Sequence, residues 1–147
     1  MNLPHYNYFS RNTFRDYVFF SEGPKGRIRK VVSFVKIGES PDVYNLALGD
    51  EDPQTGIVDD SVITDNKDRD IVLATVANII HDFCDYYGNQ RIYFTGSTAT
   101  RTRLYQISIS SFLDVLSAEF EIYGSLRNRL FDFQKNVNYD SFLIKRK

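Results

Sequence analysis

The residues best placed to do chemistry lie between Arg91 and Arg103, in the run Arg-Ile-Tyr-Phe-Thr-Gly-Ser-Thr-Ala-Thr-Arg-Thr-Arg. The pattern reads as a buried strand, a Gly-Ser-Thr turn and the first turn of a helix that carries two arginines. A helix N-terminus leaves its first backbone N–H groups without intrahelical partners and carries about half a positive charge. Ser97, Thr98 and Thr100 add hydroxyls there, and Arg101 and Arg103 add planar guanidinium groups suited to phosphate or carboxylate. Gly96, Ser97, Thr98, Thr100, Arg101 and Arg103 are therefore the candidate anion-binding residues. The same residues have a plainer use, in which Ser97 or Thr98 caps the helix and the arginines pair with carboxylates elsewhere. The segment lacks the glycine spacing and the Gly-Lys-Ser/Thr ending of a P-loop. No Asp-x-Asp pair follows it, which argues against nucleotidyltransferase chemistry.

Two other groupings carry weaker chemistry. The acidic residues Asp50, Glu51, Asp52, Asp59, Asp60 and Asp65 could offer oxygen ligands to a hard cation, but their spacing is not that of an EF-hand and no closing Glu is present. They read as a solvated loop, with Asp59, Asp60 and Asp65 as candidate partners for Arg101 or Arg103. His81, Cys84 and Asp85 fall within one helical turn, where a His could activate a thiolate. A half-buried Cys beside a surface His is the ordinary reading. No metal site, cofactor or catalytic residue is assigned.

The bulk composition bounds what these groups can serve. The chain has 147 residues, 42% of them apolar, the size and composition of one domain with a real core. Its 12 Phe and 10 Tyr favour strands and broad packed surfaces. A single cysteine excludes an intrachain disulfide and a Cys-based zinc site. The N-terminus does not read as a signal peptide, and the apolar run Ile71 to Ile80 is about half of a membrane span, so a cytoplasmic location with no membrane contact is expected. The net charge of −1 argues against a dedicated nucleic-acid binder. The charge is nevertheless segregated, with +5 on residues 1–38, −10 on 39–89 and +4 on 90–147.

Periodicity supplies the elements that would position the site. Residues 1–13 read as an irregular lead-in. Asp16 to Phe20 and Arg27 to Ile37 form a hairpin across the Ser21-to-Gly26 turn; Ile28, Val32 and Phe34 share one face, and Arg27, Arg29, Val31, Ser33, Val35 and Ile37 the other. Val43 to Leu48 is a third strand, Gly49 to Asp60 a loop, and Ser61 to Thr64 a short extended segment. Asp65 or Asn66 caps a core helix that runs to about Tyr87, burying Val72, Val76, Ile79, Ile80 and Phe83, and ends at Gly88-Asn89. Gln90 to Thr95 is a strand. The segment after Thr98 fits a helix to Leu116, buried through Leu104, Ile107, Ser108, Ser111, Phe112 and Val115, with a strand over 99–110 as the alternative. Glu119 to Tyr123 is a strand ended by Gly124. Residues 125–138 form a connection or contain a short strand near Leu130 to Phe133, and Tyr139 to Ile144 is the last strand. This order predicts one α+β domain over residues 1–147, a two-layer sandwich with a mainly antiparallel sheet and two main helices on one face.

Several segments together carry a family resemblance: Ser21-to-Gly26 with Lys30-Val31-Val32; Tyr44-to-Asp50; Asp59-Asp60 with Thr64-Asp65-Asn66; Val72-to-Ala77; Gly96-Ser97-Thr98 with Arg101, Arg103, Leu104 and Tyr105; and Phe142-Leu143-Ile144 before Arg146-Lys147. The chain resembles a family of small bacterial proteins of unknown function, seen mostly in Bacteroidetes. The resemblance implies a bacterial, single-domain, cytosolic protein and brings no mechanism. Three functional readings result. The first is a non-enzymatic module that binds a protein partner or self-associates, with an anion-accepting strand–turn–helix. The second is a binder of a phosphate-bearing ligand or nucleic acid through Arg101, Arg103 and the hairpin residues Lys25, Arg27, Arg29 and Lys30. The third is a phosphoester-acting enzyme with Asp59 or Asp60 as base or metal ligand.

Overall fold

The computed structural model describes residues 3–39, 42–59 and 67–147. Among them, nine strands form a mainly antiparallel sheet, joined by three helices, which makes the fold α+β. The strands are β1 (Tyr8–Arg11), β2 (Asp16–Gly23), β3 (Gly26–Gly38), β4 (Val43–Glu51), β5 (Val58–Asp59), β6 (Arg91–Phe94), β7 (Phe120–Leu126), β8 (Arg129–Asp132) and β9 (Ser141–Arg146). The helices are α1 (Arg69–Tyr87), α2 (Ala99–Ser111) and α3 (Leu113–Glu119). The strand path is β1-β2-β3-β4-β6-β9-β7-β8, with β5 paired to β4 beside it. Among the described registers only β4 and β6 run parallel, an arrangement that the crossover through α1 allows. The chain divides into two compact units, residues 1–35 with 46–88 and residues 36–45 with 89–147.

In the first unit the β2–β3 hairpin turns at Gly26, whose φ of +88° suits glycine. Tyr17, Phe19 and Ser21 on β2 lie opposite Val32, Lys30 and Ile28 on β3, so they share a face. Helix α1 seals that face through Phe83, stacked on Phe34 with ring centroids 4.0 Å apart. Its buried residues are Ala74, Thr75, Ala77, Ile79, Ile80, Phe83 and Cys84. The expected stripe through Val72 and Val76 is thus rotated toward Thr75. That small polar residue fits the core because its hydroxyl donates to Ile71 O at 2.7 Å and accepts the Tyr6 N–H at 2.9 Å. The expected cap also changes. Asp68 precedes α1 but makes no capping bond; its carboxylate accepts from the Tyr6 hydroxyl at 2.7 Å and from the Ser21 hydroxyl. Asp65 and Asn66, and the extended segment expected at Ser61 to Thr64, lie outside the described residues.

The expected lead-in contains β1, which pairs with β2 in the register Tyr8↔Phe19 to Arg11↔Asp16. Its strand character comes from that partner and from the Tyr8 hydroxyl, which bonds Asp82 on α1 at 2.5 Å. The expected Gly49-to-Asp60 loop is partly a hairpin, since Glu51 pairs with Val58. The basic β3 residues meet this acidic strand: Lys30 Nζ lies 2.5 Å from Asp50, with 5% and 13% of the two side chains exposed, and Arg29 lies 2.5 Å from Glu51. Part of the charge segregation in the sequence is therefore resolved inside this unit.

In the second unit β9 is central, flanked by β6 and β7, and β8 closes the path beside β7. Phe142 on β9 is fully buried and stacks on Phe94 at 5.2 Å; Tyr105 of α2 meets Phe94 edge-on at 5.9 Å. Gly124 does not end its strand as expected. A Cβ there would collide with the Tyr139 ring, so the glycine makes room for an aromatic within a continuous β7. The β7–β8 hairpin turns through Arg127 and Asn128, with φ of 50° and 63°, the left-handed pair of a tight hairpin. The Arg127 N–H is held by the Asp140 carboxylate at 3.1 Å. The single helix expected to Leu116 is two helices, broken at Phe112, whose N–H bonds back to Ile109 O at 3.2 Å. The buried face also differs. Ser108 is buried as expected, but Ile107 and Val115 are 38% and 40% exposed, whereas Arg101, Thr102, Gln106 and Ile109 are buried. Polar partners described below explain that inversion.

Removing one member of the buried Lys30–Asp50 pair leaves an uncompensated charge. Asp50→Ala is expected to cost about 3–5 kcal/mol in urea unfolding, and Lys30→Met combined with Asp50→Leu less than either single loss. Tyr17 is 1% exposed and its hydroxyl has no hydrogen-bond partner among the described residues. Burial, reinforced by the Asp82 charge, pushes its ionisation well above the ordinary tyrosine range, and burial does the same for Tyr8. The unfolded chain then releases these protons first, so stability is full below about pH 10 and falls as pH rises further. Tyr17→Phe should leave stability at pH 7 equal or slightly higher and should flatten the alkaline loss in pH-dependent melts.

Candidate functional site

The Gly96–Arg103 turn is braced by hydrogen bonds among its own residues. The chain leaves β6 at Phe94, and Thr95 is tied by its hydroxyl to Asp140 O at 3.0 Å. Gly96 then passes beneath the first turn of α2. A Cβ on it would lie 2.6 Å from Arg101 Cβ and would strike the Thr102 backbone nitrogen, so only glycine permits the approach. The Gly96 N–H donates to Thr102 Oγ1 at 3.1 Å, and that hydroxyl donates to Thr98 O at 3.1 Å. Thr98, extended at φ −136° and ψ 163°, is the N-cap, and its Oγ1 accepts the Arg101 N–H at 3.3 Å. Arg101 is 8% exposed and donates from Nη1 to Ser97 Oγ at 2.9 Å. Beside the Thr98 N–H of the cap residue itself, the N–H groups of Ala99 and Thr100 are the ones that helix geometry leaves without an intrahelical acceptor or this cap.

Of the six candidate residues, the fold thus brings Gly96, Ser97, Thr98 and Arg101 together, with Thr102 as the knot among them. Thr100 is exposed on the first turn. Arg103 points elsewhere, donating from Nη1 to Asn138 Oδ1 at 2.9 Å. Asp59 lies in β5 opposite Asp50 in the first unit; Asp60 and Asp65 lie outside the described residues. Among the described residues no group of three or more His, Cys, Asp or Glu is placed to hold a metal. Cys84 is 1% exposed in the apolar core. The basic hairpin is largely matched by acids, since Arg29 and Lys30 meet Glu51 and Asp50, and Arg27 lies 4.0 Å from Glu22 with its guanidinium 3.9 Å over Phe20.

One feature was missed in the sequence, and a second was read there as one of two alternatives. Gln106, 6% exposed, clamps the segment before β9: its Nε2 donates to Val137 O, and its Oε1 accepts the Tyr139 N–H at 3.0 Å. No local pattern singled it out, because its partners lie more than thirty residues away. The other is strand β8. Among the described residues it pairs with β7 alone, all four of its residues are exposed, and Leu130 and Phe131 keep 52% and 46% of their surface in solvent. An exposed apolar sheet edge is a ready template for strand pairing. Its signal was the short apolar pair within a polar stretch, legible as a strand and not as an edge.

These observations define the class: an α+β protein with a mainly antiparallel sheet, a self-braced strand–turn–helix and an uncovered apolar edge. The chain belongs to a family of unknown function (DUF6934), whose model matches residues 2–147, in agreement with the resemblance carried by its motifs. No curated protein and no solved structure matches it. Among the described residues no helix is long and apolar enough to cross a membrane.

The brace yields graded expectations. Thr98→Ala should cost about 1 kcal/mol through loss of the cap. Gly96→Ala should cost more, because the backbone of α2 must move. Gln106→Ala leaves the Tyr139 N–H and the Val137 C=O without their partner, at about 1–3 kcal/mol per buried group. Urea titrations of the three variants check this order.

Proposed function

We propose that this chain is a non-enzymatic interaction module whose contact is made by the β8 edge. The observation that carries the reading is the exposure of Leu130 and Phe131 on a strand that, among the described residues, has a partner on one side only. An edge of this kind offers backbone donors and acceptors together with apolar side chains, the elements by which one chain adds a strand to another. Arg129 and Asp132 flank the apolar pair and give the edge a polar rim. In this reading the Gly96–Arg103 turn is chiefly a brace that fixes α2, and anion acceptance is confined to the Thr98, Ala99 and Thr100 N–H groups with the nearby exposed hydroxyls. The matched charges of the hairpin weigh against nucleic acid, since a backbone-binding surface needs cations not already paired with acids.

The test compares wild type with a Leu130→Asp/Phe131→Asp double variant of unchanged melting temperature. Covalent cross-linking in cells of the source organism, followed by mass spectrometry, should give contacts at β8 that the variant loses. In parallel, phosphate, nucleotides and short RNA should shift the wild-type melt by less than about 1 °C; a ligand held at a hundred times its dissociation constant would stabilise the fold by about 2.7 kcal/mol. Contacts that survive in the variant, or a strong anion shift abolished by Arg101→Ala, would overturn the reading.

A further inference from the structure

The backbone parity of β8 says which of its groups are available to a partner. The Phe133 N–H donates to Ile122 O at 3.0 Å, and β7 and β8 pair antiparallel from Leu126↔Arg129 to Tyr123↔Asp132. In such a ladder every second residue directs its N–H and C=O at the neighbouring strand. Arg129 and Phe131, in phase with Phe133, therefore bond to β7. Leu130 and Asp132 direct theirs outward. The Asp132 carbonyl already accepts from the Tyr139 hydroxyl at 3.3 Å. Leu130 is thus the β8 residue whose two outward groups are both uncommitted among the described residues.

We propose that the occupant of this edge is a second copy of the chain, with the two β8 strands antiparallel about a two-fold axis at Leu130; this rests on the edge reading above. Opposed residues in an antiparallel pair must both point toward the partner or both away, which restricts the axis to a β8 residue and not to the gap between two. With the axis at Leu130, its N–H and C=O bond Leu130 of the second copy in both directions. Arg129 then faces Phe131 of the second copy, and Phe131 faces its Arg129, so each guanidinium meets an aromatic ring across the non-hydrogen-bonded pair. Asp132 comes opposite Asn128 of the second copy, an amide able to donate to a carboxylate. No like charges are opposed. Placing the axis at Phe131 instead would put Asp132, whose carbonyl already meets Tyr139, in both hydrogen-bonded pairs beside the axis and would set Arg129 against Phe133, which is 8% exposed. The Leu130 register therefore forms its central pair from uncommitted backbone groups and opposes no like charges, and its two-fold symmetry closes the assembly at a dimer.

The test is sedimentation of the full chain over a concentration series from micromolar to hundreds of micromolar, with two kinds of variant. Leu130→Pro deletes the outward N–H and leaves the β7 ladder intact. Leu130→Cys places two thiols across the axis at a Cα separation of roughly 5.5 Å, within disulfide range, while the native Cys84 is buried and does not compete. The expected result is a concentration-dependent dimer for wild type, at least a tenfold weaker one for folded Leu130→Pro, and a covalent dimer for oxidised Leu130→Cys but not for Phe131→Cys. A chain that stays monomeric throughout, species larger than a dimer, an unchanged dimer in folded Leu130→Pro, or cross-linking at Phe131→Cys instead would each overturn it. If Leu130→Pro does not fold, the paired cysteine variants decide. A monomeric wild type whose cellular contacts still vanish in the Leu130→Asp/Phe131→Asp variant would overturn the second copy alone; loss of neither would overturn the edge reading as well.

Discussion

The second unit depends on the seating of one tyrosine on one glycine. The Tyr139 ring occupies the space that a side chain at Gly124 would fill. From there its N–H reaches Gln106 on α2, and its hydroxyl meets the Gln134 N–H at 2.9 Å and the Asp132 carbonyl at 3.3 Å. Its ring also lies against Phe133 and Phe142, joining the polar contacts to the apolar core. This contact therefore holds helix, hairpin and central strand at once, and it explains why α2 buries polar residues. The helix face beside this segment meets unpaired backbone, and Gln106 satisfies two such groups where a leucine would satisfy none. It also fixes which β8 groups are occupied and which remain available.

The β2–β3 hairpin, the third strand, the long helix and its Gly88 stop were legible in the sequence because each rests on local signals: alternation, a glycine turn, a 3.6-residue period. What was not legible rests on distant partners. Residues 8–11 carry no alternation of their own and become β1 because β2 offers an edge. Gly124 looks like punctuation until Tyr139, fifteen positions later, is placed on it. Thr75 looks like an interruption of the apolar stripe until Tyr6 supplies its partner. The helix after Thr98 was recognised, but its buried face was read from apolar residues, whereas polar contacts from Gln106 and Thr102 orient it.

The candidate turn was legible in outline and not in allegiance. Gly96, Ser97, Thr98 and Arg101 do converge, as the strand–turn–helix pattern implied. Several of their donors and acceptors meet one another, and Thr102, a residue the pattern did not single out, joins Gly96 to Thr98. Segregated charge fits pairing within one fold as well as across a contact, and Arg29 and Lys30 meet Glu51 and Asp50 within the same unit. Among the described residues the β8 edge keeps apolar side chains in solvent, and that exposure supports an interaction reading more than an anion-binding one.

The central claim is that the outward backbone of Leu130 is a contact made between molecules. Amide hydrogen exchange followed residue by residue at low and high protein concentration addresses it most directly. The account predicts that the Leu130 N–H becomes protected as concentration rises, while the Arg129 and Phe131 amides, already bonded to β7, change little. A Leu130 amide that exchanges equally fast at every concentration would contradict it.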